Sequence, residues 1–207
     1  MDYAGYEGST VPPDRIRSAK IVLAGGFGVG RTTFVGSVSE ITPLTTEAVM
    51  TAASLNVDET FDVPNKTTTT VAMDFGRITI AADLIVYLFG TPGQTRFWFM
   101  WDELNRGAIG AIVLVDTRRV ADCFSSIDFF ESRNVPYVVA VNVFDNAPRY
   151  DPEEIRDALT IRPDVPLVLC DARNRESAKH VLVTLVEYVV DLHRRGRDPV
   201  GSGRGRR

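Results

Sequence analysis

The 207-residue chain is 44% hydrophobic and 24% charged, an ordinary balance that excludes wholesale disorder and fits one domain around a continuous core. A formal net charge of −4 argues against a dedicated nucleic-acid binder, which would carry a basic excess. The two cysteines, Cys123 and Cys170, are too few for a disulfide scaffold or a four-ligand zinc site and read as buried small hydrophobes.

Residues 1–17 are polar, carry Pro12 and Pro13, and contain no apolar run resembling a signal peptide. No stretch reaches the roughly 18 apolar residues that a membrane span needs, and no cysteine stands near the C-terminus to accept a prenyl group. The expectation is a soluble, cytoplasmic protein with no integral membrane segment.

Ile21-Val22-Leu23-Ala24 is a short apolar run bounded by glycine and predicts a buried strand, with a helix over 32–41 after the glycines. Residues 71–80 and 84–89 predict two strands, and the polar Ala81-Ala82-Asp83 link between them suits a tight antiparallel connection. Three more strands, rich in Val, Ile and Leu, are expected at 109–115, 137–141 and 167–169. Helices are expected at 118–132, 152–159 and 176–195, the second opening with Asp151 as cap and Pro152 in the first turn. In the last helix Leu182, Leu185, Val186, Val189 and Val190 recur at helical spacing and predict the face that packs on the sheet.

Strands that are apolar throughout and alternate with helices mean a parallel sheet covered on both faces. One early hairpin makes it a six-stranded mixed, mostly parallel α/β sheet. A single folded domain over residues 18–195 is expected, with mobile ends at 1–17 and 196–207, the second of them basic.

Gly25-Gly26-Phe27-Gly28-Val29-Gly30-Arg31-Thr32-Thr33 follows the first strand and opens the first helix. The run matches the P-loop pattern G-x-x-x-x-G-K-[ST] except that Arg31 stands in place of lysine. Glycine lets successive backbone N–H groups turn inward around phosphates where a Cβ would block the approach, and the helix N-terminus adds partial positive charge. Thr32 offers a hydroxyl to Mg2+. A guanidinium is planar and wider than an ammonium, so the Arg31 exchange is not conservative and alters phosphate geometry.

Three further runs close predicted strands: Phe89-Gly90-Thr91-Pro92-Gly93-Gln94, Asn142-Val143-Phe144-Asp145 and Cys170-Asp171-Ala172-Arg173. With the phosphate loop, this ordered set resembles that of the Ras-like small GTPases. Residues 66–76, 88–94 and 96–101 are more narrowly similar to the actinobacterial conservon GTPases, relatives of the gliding-motility GTPase MglA. The likeness spans about residues 18–190.

The resemblance implies that Gly25, Gly26, Phe27, Gly28, Val29, Gly30, Arg31, Thr32 and Thr33 cradle the phosphates of GTP or GDP. Thr70 would be the switch threonine that joins Thr32 on Mg2+, with Thr69 as the alternative. Gly93 would donate its N–H to the γ-phosphate and Gln94 would orient the attacking water. Asn142 and Asp145 would read guanine, the Asp145 carboxylate accepting from ring N1–H and the 2-amino group, and Asp171 with Ala172 would brace the base.

Three positions depart from the family pattern. Gly90 replaces the metal-side aspartate, so Mg2+ would lack its outer-shell carboxylate. Val143 replaces the lysine over the guanine face. Arg31 is the third. Together they predict a GTP-binding switch with slow intrinsic hydrolysis. By resemblance a Roadblock-fold regulator would assist it, and a sensor-kinase-like membrane complex would recruit it to the membrane periphery. Two other classes stay open: a pseudo-GTPase scaffold that signals by assembly, and an ATP-dependent kinase-type enzyme, for which no catalytic acid or arginine lid stands out.

Phe97-Trp98-Phe99-Met100-Trp101 covers most of a helix circumference, so its rings cannot all face the sheet. They are either a partner surface beside the switch or covered by a neighbouring loop. The arginines of the tail (Arg194, Arg195, Arg197, Arg204, Arg206 and Arg207) form either a solvated end or a weak site for anionic lipid or an acidic partner. His180 and His193 read as surface residues.

Overall fold

The computed structural model describes residues 17–49, 70–92, 99–145 and 147–197. Strand β1 (Arg17–Gly25) runs at the centre, followed by α1 (Arg31–Val38), β2 (Leu44–Val49), β3 (Thr70–Ala81) and β4 (Leu84–Gly90). Then come α2 (Phe99–Asn105), β5 (Gly110–Val115), α3 (Phe124–Ser132), β6 (Tyr137–Asn142), α4 (Pro152–Leu159), β7 (Leu167–Cys170) and α5 (Arg175–Arg197).

Among the described residues one sheet contains seven strands in the order β2-β3-β4-β1-β5-β6-β7. All six strands expected from sequence are present. The seventh, β2, adds an antiparallel edge strand against β3. β1 lies parallel between β4 and β5, and β6 and β7 continue the parallel half. β3 and β4 form the expected antiparallel hairpin across Ala82 and Asp83, with a register shift between Thr79 and Ala81.

The core is two apolar layers, one on each face. Phe34, Val35 and Val38 of α1 and Ala178, Val181, Leu182, Leu185 and Val189 of α5 cover one face through Ile21, Leu23, Leu88 and Leu114. Trp101 of α2, Ile127 and Phe130 of α3 and Ile155 and Leu159 of α4 cover the other through Val22, Val113, Val139 and Val141. The buried face of α5 sits slightly to one side of the predicted one. Val181 is inside, and Val190, expected to pack, is 41% exposed.

α4 begins as expected, with the Asp151 side chain accepting from Glu153 N and a reciprocal capping box to Glu154. The helix expected over 118–132 is broken: Val120–Cys123 is a 3-10 turn and the α-helix starts at Phe124. Cys123 and Cys170 are free and buried, one in each apolar layer, and burial pushes their thiols up to about 12 and about 11. His180 and His193 are exposed.

Phe97 and Trp98 of the aromatic run lie outside the described residues. Within α2 the run divides: Phe99 is 52% exposed, whereas Trp101 is 3% exposed and packs against Phe129 at 5.1 Å and Phe130 at 6.2 Å between ring centroids. Trp101 is therefore a core residue, and Phe99 is the exposed ring among the described residues of the run. Trp101→Ala should lower unfolding free energy by about 3–5 kcal/mol, the cost of truncating a buried aromatic, whereas Phe99→Ala should shift a urea midpoint little.

Candidate functional site

The carboxyl ends of β1, β4, β5, β6 and β7 meet on one edge, at the place where the chain leaves β4, crosses β1 and enters β5. Such a switch point is where open α/β sheets form ligand crevices. Gly25, Gly26, Phe27, Gly28, Val29 and Gly30 connect β1 to α1 here, ending at Arg31, Thr32 and Thr33 in the first turn.

Three glycines set the loop's path with positive φ: Gly25 at 140°, Gly28 at 72° and Gly30 at 103°. Gly28 has open space around its missing side chain, while a Cβ on Gly30 would sit 2.6 Å from Asn142 Nδ2. Gly30 caps α1 with no side chain, and the first turn of α1 carries no acidic residue. The first N–H groups of that helix thus face the loop with no competing carboxylate on their own turn, an arrangement suited to phosphate. Phe27 stands out at the tip, 68% exposed.

Asn142 anchors this loop. Its Nδ2 donates to Val29 O at 2.9 Å, and its Oδ1 accepts from Ala172 N at 3.0 Å. The side chain is buried. Its amide therefore joins the phosphate loop to the loop after β7, and its second N–H and second lone pair stay available to a ligand. Ala172 spends its N–H on Asn142.

The Arg31 guanidinium donates to the carbonyl of Thr91 and, at 3.2 Å, to Thr91 Oγ1, just beyond the end of β4. Burial lowers its pKa from the ordinary arginine value, with Asp74 opposing that shift. Thr32 Oγ1 donates to Asp74 Oδ2 at 2.9 Å, a contact that the sequence reading missed. Thr70 is the first residue of β3 and pairs with Val49. Gly93, Gln94 and Thr69 lie outside the described residues.

At the other end, Arg173 bridges two carboxylates. It donates to Asp145 Oδ2 and Oδ1 at 2.9 and 3.1 Å and to Asp171 Oδ1 and Oδ2 at 2.9 and 3.0 Å. These hydrogen bonds hold both carboxyls below the usual carboxylate range. A second clamp lies beside it: Arg118 grips the buried Asp116 through both oxygens and stacks its guanidinium 4.0 Å from the centre of the Phe144 ring. Val143 and Phe144 line an apolar cavity of about 160 Å³ that also touches Thr117, Ala147, Pro148 and Tyr150. Asp116 and Arg118 carried no motif signal in the sequence, and Arg173 was legible only as the end of the Cys170-Asp171-Ala172-Arg173 run, because the partners of all three are set by loop geometry.

The cradle, the helix start and the strand ends define a P-loop fold of the GTPase G-domain type. The chain belongs to the protein family described as "Conserved hypothetical ATP binding protein", which it matches over residues 23–192. It is 30% identical over 128 residues to an uncharacterized protein of Methanocaldococcus jannaschii, covering 61% of this chain and 70% of that one. It is also 32% identical over 120 residues to a fibrillarin-like rRNA/tRNA 2'-O-methyltransferase of Haloquadratum walsbyi, covering 55% of each chain.

Among solved structures it resembles the G domain of the T. maritima FeoB iron transporter, with TM-score 0.56 and 20% identity over 83% of this chain and 99% of that one. The cytosolic domain of that transporter in its GDP form matches with TM-score 0.59 and 18% identity, over 84% of this chain and 64% of the other. These likenesses establish the fold. Among the described residues no helix is long and apolar enough to cross a membrane.

Asn142→Ala should strand the Val29 carbonyl and the Ala172 N–H. A loss of about 2–5 kcal/mol in unfolding free energy is expected from two buried groups left unpaired, readable as a shifted urea midpoint with unchanged slope.

Proposed function

We propose that this chain is a guanine-nucleotide switch with slow hydrolysis of its own. The observation that carries the reading is the glycine loop with three positive φ values opening α1, braced by Asn142 to the same strand ends that bear Asp145 and Asp171. The residues fit a nucleoside di- or triphosphate with a divalent cation: a Cβ-free cradle at Gly28, a helix start without acidic residues, and the Thr32 hydroxyl beside a carboxylate. Mg2+, when bound, would neutralise phosphate charge.

Gly25 to Thr33 would hold the phosphates through backbone N–H groups. Thr32 and Thr70 would be the hydroxyls nearest the cation. Gly93 would sense the γ-phosphate and Gln94 would hold water in line for attack. Asp145 would accept from the guanine edge. With Arg31 engaged by Thr91, its charge is shared with a protein partner, which supports weak chemistry and assistance by a Roadblock-fold partner. Phe99, exposed on α2 next to the chain after Gln94, supports a protein surface there. Recruitment to a membrane-bound sensor complex follows only from the family resemblance.

A second reading has its own support. Arg173 already occupies both oxygens of Asp145, and the family's description names ATP. In that reading the site is base-tolerant or serves as a scaffold.

Identification and quantification of nucleotide released from purified protein separates the two. Guanine nucleotide is expected, and adenine nucleotide or none would overturn the switch reading. In calorimetry, Asp145→Ala should weaken GDP by about 10- to 100-fold, as expected for losing a charge-assisted pair of hydrogen bonds, and leave ADP unchanged. Arg31→Lys should tighten GDP, because a compact ammonium on a flexible stem restores the usual point charge at the phosphates. Weaker binding would show that the Thr91 contact is what holds the loop.

A further inference from the structure

Gly90 ends β4 where a carboxylate would be expected to face the cation. We propose that Asp74, on the neighbouring strand β3, supplies that carboxylate in its place and positions Thr32 on the metal. The inference rests on the nucleotide reading above.

Two observations of different kinds carry it. The first is steric. One step beyond the Phe75–Phe89 pair of the hairpin, Asp74 comes opposite Gly90. A Cβ built on Gly90 would stand 3.1 Å from Asp74 Cβ and 3.2 Å from Asp74 Oδ2. Gly90 therefore leaves free the space beside which the Asp74 side chain lies. A carboxylate on either strand reaches the same spot, but not both at once without a shift.

The second is chemical. Thr32 Oγ1 donates its proton to Asp74 Oδ2 at 2.9 Å. A hydroxyl whose hydrogen is held by a carboxylate has its lone pairs fixed in direction and enriched in electron density, which is how outer carboxylates orient a metal's inner ligands. Gly76 and Ile78, further along the same face of β3, contact or belong to the layer under α1, so Asp74 lies on the strand face that looks toward α1 and the loop. Asp74 is thus a positioning residue: it acts through Thr32, and through water on a cation that keeps much of its hydration shell.

The alternative is that Asp74 only fastens α1 to β3. The two roles differ in what a charge-neutral variant does. The full chain is loaded with fluorescent GDP, and its release is followed over a Mg2+ titration and in excess chelator. Mn2+ binding to the GDP complex is measured in parallel by electron paramagnetic resonance. Asp74→Asn, which keeps size and can still accept from Thr32, should raise the Mg2+ needed for half-maximal retention by 10- to 100-fold, the usual cost of losing an outer-shell partner. Release in chelator and the thermal midpoint should stay near wild type. Moving the carboxylate back, as Asp74→Gly with Gly90→Asp so that no Cβ at 74 meets the new one, should recover most of the Mg2+ and Mn2+ affinity. Wild-type metal dependence in Asp74→Asn, or no recovery in the exchanged pair, overturns the proposal. If wild-type chain takes up no GDP at any Mg2+ concentration, the nucleotide reading itself fails and takes this one with it.

Discussion

The phosphate loop has almost no means of holding its own shape. Three of its residues are glycines at positive φ, and a glycine-rich turn loses more conformational freedom on folding than any other sequence of that length. Its shape is imposed from outside, chiefly by the amide of Asn142. That side chain is buried, so its bonds to Val29 and Ala172 act in a low-dielectric setting where water does not compete. Gly30 has room for no side chain because Asn142 Nδ2 fills the space. Leu114 O presses on Gly25, and Asp122 presses on Gly26. The cradle is the negative image of β5, β6 and the turn after β5, and any ligand reading requires those contacts.

This dependence explains which parts of the molecule were legible in the sequence. Apolar runs declared every strand of the core because burial on both faces leaves no other composition. β2 was not legible: Leu44-Thr45-Thr46-Glu47-Ala48-Val49 is half polar, as an edge strand allows, and nothing in its pattern separates it from a loop. The break before α3 was hidden because Val120-Ala121-Asp122-Cys123 has ordinary helical character. What opens it is tertiary: Cys123 is drawn into the core. Trp101 and Phe99, two residues apart, take opposite fates because Phe129 and Phe130 wait on one side only.

Asp74 was illegible for a sharper reason. Counting back from the Ala81–Leu84 pair in an unbroken ladder would set Phe75 opposite Gly90. The shift between Thr79 and Ala81 moves the pairing by one residue, so Phe75 meets Phe89 and Asp74 comes opposite Gly90. A one-residue slip in a strand turns every side chain to the other face. Without it Asp74 would face away from α1, and Phe75 would take its place beside Thr32 instead of stacking near Tyr87 and Phe89. A single irregularity of the hairpin, invisible in composition, thus decides which side chain meets Thr32.

The base end obeys a different physics. Asp145 and Arg173 are mostly exposed, and such a pair contributes little to stability in water. It can open or adjust at small cost. Each oxygen of Asp145 accepts one bond from Arg173 and retains lone-pair capacity for another donor. Strong exclusion of a wrong ligand usually comes from a buried acceptor left unpaired. An exposed carboxylate already satisfied by an arginine imposes no such penalty on adenine. Any preference for guanine at Asp145 must therefore come from attraction gained, not from repulsion suffered, and its size is set by how far the guanine edge improves on the hydrogen bonds that Arg173 and water already supply.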